Sequence, residues 1–448
     1  MTRSSQTTGS AGTDIGLLLD EGIWSTMQRV VVVMAALSII LDGFDGQLIG
    51  YAIPVLIKEW GVSRADFAPV VASGLFGMAF GSGFAGVIAD RFGRRLAILL
   101  SVLTFGVATM AIGLSQGIWS IAALRFVAGL GIGGALPTAT TMTAEYTPRR
   151  HRTVAITATI VCEPLGGMLA GFFAAWILPN FGWRVLFMAG GAIPVAYALV
   201  LLAKLPESPR WLSRQPARSA ELVALLRRMQ RDVPADTRFV DPTEHASGKS
   251  SLGTLFADGR ALSTLALWFA FFTTLMSVYL AFSWLPSMLT ADGLDLSIAA
   301  SGLTAYNLGG VVGALVCAVA INRFGSRWPL AICSFAAAAI AFGLRGVDSS
   351  HATSLLIIGI GLHGMFVNAV QSTAYSVAAN LYPTEVRATG TASALVVGRM
   401  GSVVSAFAGA SVIASGGAHS YFGLLAAAMT ASGLAFLVLR RHVPPAAR

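Results

Sequence analysis

Apolar runs of about twenty residues recur along the chain, each closed by a short polar stretch. They fall at 29–56, 66–89, 96–114, 118–142, 153–177, 184–204, 262–289, 298–321, 328–345, 353–379, 388–414 and 420–440. A helix rises about 1.5 Å per residue, so each run suits one crossing of a hydrocarbon core roughly 30 Å thick. The pattern predicts an all-α polytopic membrane protein with twelve transmembrane helices. The widest polar gap, 205–261, divides them six and six. The expected organisation is therefore a polar tail (1–28), a six-helix bundle (29–204), a linker (205–261), a second six-helix bundle (262–441) and a short tail (442–448). Within the linker, ARSAELVALLRRMQRD is amphipathic and is expected to lie along the membrane or form a short helix.

Composition agrees. The 448 residues are 55% hydrophobic and 11% charged, against about 25% charged in soluble proteins. The net charge of +9 suggests nucleic acid until its distribution is read. Lys and Arg concentrate in alternate gaps: DRFGRR (90–95), PRRHR (148–152), the linker, NRFGSR (322–327), Arg387 and Arg440–Arg441. The positive-inside rule explains this and places those gaps, with both termini, in the cytoplasm of a cytoplasmic (plasma or inner) membrane. No nucleic-acid partner is expected. Residues 1–28 lack a short apolar core with a cleavage site, so the first span is expected to direct insertion itself.

Cys162, Cys317 and Cys333 lie in apolar segments without ligand spacing, and the six histidines form no metal pattern, so neither a metal nor a cofactor is expected. GLGIGG (129–134) sits inside an apolar run rather than after a strand, and no Walker sequence is present. An enzyme is not expected.

The two halves echo each other. Asp90-Arg91-Phe92-Gly93-Arg94-Arg95 returns as Asn322-Arg323-Phe324-Gly325-Ser326-Arg327. Glu145-x-x-Pro148-x-x-x-Arg152 returns as Asn380-x-x-Pro383-x-x-x-Arg387, and GLGIGG as GIGLHG (359–364). A six-helix unit has been used twice, with both acidic positions becoming Asn in the second copy.

Of 21 acidic residues only Asp42, Asp45 and Glu163 lie well inside apolar runs, and of 30 basic residues only Arg125 and Arg399. Charges at such depth are functional candidates, because each needs a partner or water to remain there. Asp42 and Asp45, spaced i, i+3, are expected to share one helix face. Two desolvated carboxylates that close do not both ionise readily, which suits a proton carrier or substrate ligand; the alternative is a structural salt bridge with Arg125 or Arg399. The planar fork of Arg399 suits an anionic carboxylate, against a purely structural pairing with Glu163 or the Asp pair. Arg125 is expected to organise the carboxylates of the first span or to approach substrate. Glu163 is functional by depth, while Pro164 and Gly166-Gly167 suggest a helix bend. Tyr306, Asn307 and Gln371 are candidate hydrogen-bonding groups around a ligand. His363 either hydrogen-bonds ligand or packs between helices. Phe44, Tyr279, Phe282 and Trp284 offer rings for stacking, with lipid contact the stronger expectation for Trp284.

Gly86-x-x-x-Asp90-Arg91-x-Gly93-Arg94-Arg95, Arg125-x-x-x-Gly129-x-Gly131-x-Gly133 and Pro206-Glu207-Ser208-Pro209-Arg210, in this order, resemble the signatures of the major facilitator superfamily over nearly the whole chain. Asp42-Gly43-Phe44-Asp45, Tyr382-Pro383-Thr384-x-x-Arg387-Ala388-Thr389-Gly390 and Gly398-Arg399-x-Gly401 resemble its aromatic acid:proton symporters. The resemblance implies two pseudo-symmetric six-helix bundles and proton-coupled uptake of a small aromatic carboxylate by alternating access. Its partners would be the acid anion, protons and the lipid bilayer, and a monomer is expected. It also implies roles for Asp42, Asp45, Asp90, Arg387 and Arg399. Asp90, Arg91, Arg94, Glu145, Arg152 and Arg387 lie at cytoplasmic helix ends and suit a conformational latch. The rival readings are a proton symporter of a non-aromatic acid or sugar, and a drug:proton antiporter; a buried Arg399 favours an anion.

Overall fold

The computed structural model describes residues 13–234, 237–240, 252–257, 259–349, 351–383 and 386–445. Parts of the expected tails and linker (1–12, 241–251 and 446–448), and Thr384 of the second-half motif, lie outside them. The first half carries α1 (Ile15–Asp20), α2 (Thr26–Trp60), α3 (Arg64–Phe92), α4 (Arg94–Ile112), α5 (Ile118–Tyr146) and α6 (Arg149–Lys204). The linker carries α7 (Pro209–Ser213) and α8 (Ser219–Arg228). The second half carries α9 (Ala261–Ala291), α10 (Leu296–Phe324), α11 (Arg327–Leu344), α12 (Thr353–Leu381) and α13 (Arg387–Val438).

Ten of these helices are long and apolar enough to span a bilayer. At about 1.5 Å per residue, the 56-residue α6 would run some 84 Å if continuous, far beyond bilayer thickness. Its backbone leaves helical geometry at Gly182 (φ 77°, ψ 176°). The 52-residue α13 does so at Gly416 and Gly417, the latter at φ 54°. Each is thus two helices joined at glycine, whose missing Cβ permits the positive φ. The ten long helices contain twelve segments of spanning length, in the positions the apolar runs foretold.

Other boundaries have local causes. Ser25 and Gln28 form a capping box at the start of α2, and Ser63 and Asp66 do the same for α3. Gly61 closes α2 in the left-handed conformation.

The dominant pairings are α2 with α6, α3 with α5, α10 with α12, and α9 with α13. Small residues let these backbones touch. A Cβ at Gly129 of α5 would lie 2.2 Å from the Gly74 carbonyl oxygen of α3, and one at Gly309 of α10 would lie 1.9 Å from that of Gly361 on α12. The glycines of GLGIGG and GIGLHG are therefore packing residues. Between α2 and α6 the approach is as close: a Cβ on Gly43 would meet the Glu163 carbonyl oxygen at 2.0 Å, and one on Gly166 the Ile40 carbonyl oxygen at 2.0 Å. Helical backbone continues through Pro164, Gly166 and Gly167; the glycines serve contact rather than a bend.

Two expectations are refined. The described part of the segment before the first span is folded against the rest of the chain. Thr13–Asp14 (β1) pairs in parallel with Phe239–Val240 (β2) of the linker, a small departure from all-α. Ile15 and Leu19 are buried, Asp20 pairs with Arg152, and Trp24 stacks on His151 with centroids 5.3 Å apart. Of the two expectations for the linker's amphipathic stretch, the short helix forms: in α8, Leu222, Val223, Leu225 and Leu226 are buried in the protein. Its apolar stripe had protein surface within reach, which removes the need for a membrane interface.

Directly joined side chains link the halves from mid-depth to the end opposite the basic loops. Gln47 and Asn307 exchange amide hydrogen bonds of 3.1 and 2.7 Å. Arg64 donates to the Ser287 hydroxyl (3.1 Å) and carbonyl (3.3 Å). A Cβ at Gly50 would lie 2.1 Å from the Phe282 carbonyl oxygen.

The Gly43 contact yields a stability test. Gly43→Ala forces α2 from α6 and is expected to cost about 1–3 kcal/mol, read as a lower thermal midpoint in detergent. Gly46→Ala, where a Cβ meets nothing within 4 Å, should leave the midpoint unchanged. Equal midpoints for the two variants would refute the packing role.

Candidate functional site

Gly43 sets the geometry of the centre by letting α2 settle onto α6, which brings Asp42 beside Glu163. Asp42 and Glu163 line one cavity of roughly 30 Å³ with Gln47, Arg125, Tyr279, Phe282 and Ser283. Glu163 also borders a second, of roughly 20 Å³, with Asn368, Gln371, Ser372 and Tyr375. Both halves of the chain contribute to each. Arg399 comes from α13: its Nη1 donates to the Tyr279 hydroxyl at 2.6 Å, and its guanidinium carbon sits 5.6 Å from that ring's centroid. Asp42, Glu163 and Tyr375 are its charged and phenolic surroundings.

Asp45 behaves differently from Asp42. Positions i and i+3 are about 60° apart around a helix, so the two flank a face rather than coincide. Asp45 is fully buried and turns into the first half, where Arg125 and Thr109 are its electrostatic neighbours. Arg125 reaches α2 through Nη2, which donates to the Gly46 carbonyl at 3.4 Å. The expected shared face is thus divided between a carboxylate on the central cavity and one inside the bundle.

Among the described residues, none of the five intramembrane charges makes an ion pair within 4.0 Å. Both carboxylate oxygens of Asp45, one of Asp42, and Nε and Nη1 of Arg125 are buried without a hydrogen-bond partner. Opposite charges are close enough to feel each other but are not locked together. That arrangement leaves hydrogen-bonding capacity for a ligand or a proton, which a tight salt bridge would consume.

The other candidates are scattered. Gln371 lies on the second cavity. Asn307 is engaged with Gln47 across the halves. Tyr306 stands behind the cavity wall, its ring 5.9 Å from Phe282. His363 is buried with Nδ1 3.0 Å from the Ala337 carbonyl oxygen, the helix-packing alternative. Phe44 packs on Phe173 of α6 at 5.4 Å rather than lining either cavity. Trp284 faces neither ligand space nor lipid: it is fully buried, with its indole against Gly409 of α13. Tyr279 and Tyr375, which surround Arg399, outrank both rings by position. Tyr375, Asn368 and Gln47 were not among the sequence candidates, although a polar residue amid an apolar run was their available signal.

At the basic end of the first half, Arg94 is buried and lies 3.3 Å from Asp90 and 3.4 Å from Glu145. Glu145 also accepts from the Ser208 hydroxyl. Asp90 itself is largely exposed at 74%. Arg152 donates to the Ala144 carbonyl at 2.9 Å and pairs with Asp20. Arg91 and Arg387 are exposed. Glu207, which the sequence offered only as part of a family signature without a role, is the anchor of this cluster. Its Oε1 accepts from the backbone N–H of Arg94 (2.8 Å), Arg95 (3.1 Å) and Ser208 (2.7 Å), so it caps α4 from the linker. Gly93 makes room, since a Cβ there would lie 2.1 Å from that carboxylate. Burial pushes the Glu207 carboxyl above its ordinary range, while the backbone donors pull it back.

Two six-helix halves, each contributing to buried polar cavities at their junction, define a multi-pass membrane transporter. The profile of the Major Facilitator Superfamily matches residues 35–304 and 267–448, and the chain belongs to that family. It is 33% identical to the gallate transporter of Pseudomonas putida, over 95% of this chain and 94% of that one. It is 34% identical to the 4-hydroxybenzoate transporter PcaK of Pseudomonas aeruginosa, over 90% of each. Among solved structures, the xylose transporter XylE from E. coli, in a partially occluded inward open conformation, superposes with a TM-score of 0.74 at 16% identity. The match covers 93% of this chain and 99% of that one. The family and these relatives are transporters, not enzymes.

Because Glu207 satisfies three backbone donors at once, Glu207→Ala is expected to destabilise the protein by about 1–2 kcal/mol. Glu207→Gln, which keeps an acceptor, should lose less. Thermal unfolding of the two variants in detergent reads the difference, and indistinguishable midpoints would exclude the cap.

Proposed function

We propose that this protein carries a small aromatic carboxylate into the cell together with protons, by alternating access across the cytoplasmic membrane. The observation that carries the reading is Arg399, whose guanidinium meets a tyrosine hydroxyl but, among the described residues, no carboxylate within ion-pair distance, at the same cluster as Asp42 and Glu163. An acid anion takes the free side of the fork in a charge-assisted hydrogen bond. Its ring lies among Tyr279, Phe282 and Tyr375, and Glu163 and Gln371 supply hydrogen-bonding groups for ring hydroxyls. Asp42 loads the proton at the central cavity. Asp45 and Arg125 set the field behind it, and Glu163 is the second acid in reach.

The similarity to gallate and 4-hydroxybenzoate transporters supports an aromatic substrate. The basic loops support a topology with both termini in the cytoplasm. Ligand pockets usually exceed roughly 300 Å³, so a central cavity near 30 Å³ must widen to take a ring. Rocking of the halves supplies that space. The Gln47–Asn307 and Arg64–Ser287 contacts hold the side opposite the basic loops together and must part for entry. The Asp90–Arg94–Glu145 cluster, with Arg91, Arg152 and Arg387 at neighbouring helix ends, is the latch of the cytoplasmic side. One chain holds both halves, so a monomer suffices.

Proteoliposomes with an imposed inward proton gradient test the proposal with labelled 4-hydroxybenzoate, gallate, benzoate and xylose. Aromatic acids should accumulate and xylose should not; accumulation of xylose alone would overturn the substrate class. Asp42→Asn should abolish uphill accumulation while keeping exchange of substrate across the membrane. Normal accumulation by this variant removes Asp42 from coupling.

A hydrogen bond to a charged group contributes about 1.5–3 kcal/mol, so Arg399→Lys should lower uptake efficiency roughly 10- to 100-fold. The thermal midpoint should be nearly unchanged. An equal fall in stability and uptake would mark Arg399 as structural.

A further inference from the structure

Away from the central site, α10, α11 and α12 enclose a groove of about 480 Å³ lined almost wholly by apolar side chains, including Val316, Phe324, Trp328, Ile332, Met365 and Phe366. Val316, Phe324, Trp328 and Ile332 are each more than half exposed, so the groove opens sideways, toward lipid. It reaches along α10 from Phe324 at the basic end to Gly313, about 16 Å, close to the depth of one leaflet.

Two arginines stand at its mouth. The Arg323 guanidinium lies 5.4 Å from the Phe324 ring centroid, and that of Arg327 lies 5.8 Å from Trp328. Neither makes an ion pair within 4.0 Å among the described residues. Among the described residues their counterparts in the first copy, Arg91 and Arg95, make none either. The first copy also holds Asp90 and Glu145 around Arg94, whereas the second has Asn322, Asn380 and Ser326 at those three positions. Asn380 spends its amide on the Ser376 carbonyl at 2.9 Å. The second loop keeps two cations and no acid, beside an apolar channel of leaflet depth.

We propose that this groove binds one anionic phospholipid, an acyl chain lying along α10 and the phosphate resting on Arg323 and Arg327. Basic groups between helices at the cytoplasmic side suit such headgroups. With Asn at both acidic positions of the repeat, no carboxylate there repels a phosphate resting on Arg323 and Arg327.

Native mass spectrometry of the full chain in detergent tests this by titration with phosphatidylglycerol and phosphatidylcholine of identical chains. One phosphatidylglycerol should be held about tenfold more tightly than phosphatidylcholine. Arg323→Gln with Arg327→Gln should abolish the preference, whereas the double Lys variant should keep it. Ala320→Phe, which fills the groove, should remove the retained lipid. Equal retention of the two lipids, a preference that survives the Gln variant, or a lipid that stays bound to the Ala320→Phe variant would each overturn the proposal.

Discussion

The central constraint is the cost of charge in a low-dielectric interior. Five carboxylate and guanidinium side chains lie well inside apolar segments, and the fold brings all of them into the protein instead of presenting them to lipid. Among the described residues they are not neutralised by tight pairs. Asp42, Glu163 and Arg399 gather at the junction of the halves, with Tyr279 holding the arginine by a 2.6 Å hydrogen bond. Asp45 and Arg125 form a second charge couple inside the first half. Much of the surrounding architecture serves to hold these groups near one another without locking them. The backbone contact of α2 and α6 at Gly43 and Gly166 is the clearest example.

A second theme is the unequal use of a repeated unit. The packing of α3 on α5 is repeated by α10 on α12, glycine against carbonyl in both. The electrostatics are not repeated. In the first copy, Arg94 is surrounded by Asp90 and Glu145, and Glu207 reaches from the linker to cap the same helix. In the second copy, Ser326 replaces that arginine and binds the chain's last segment, its hydroxyl accepting from the Val443 N–H at 2.9 Å. One half therefore carries the charged cluster and the linker's anchor, and the other presents Arg323 and Arg327 outward.

Much of this was legible in the linear chain. The apolar runs gave the spans, because a bilayer demands about twenty apolar residues whatever surrounds them. The glycine breaks at 182 and 416–417 fell between runs already read as separate. The five charges stood out because so few polar residues are tolerated at that depth. The motifs of the two halves, compared with each other, exposed the loss of Asp90 and Glu145 equivalents in the second.

Tertiary structure alone decided which of those groups meet. Spacing of i, i+3 placed Asp42 and Asp45 near each other, yet a rotation of about 60° sends one to the central cavity and the other to Arg125. The same holds for Trp284, whose sequence position near a helix end suggested lipid and whose ring is buried against Gly409. It holds for Glu207, which caps a helix begun 113 residues earlier, and for the linker helix, whose apolar stripe found protein rather than membrane. Hydropathy is a local property, so a sequence can state what must leave water. Which neighbour receives it depends on helix rotation and on contacts distant in the chain, and those are set by packing.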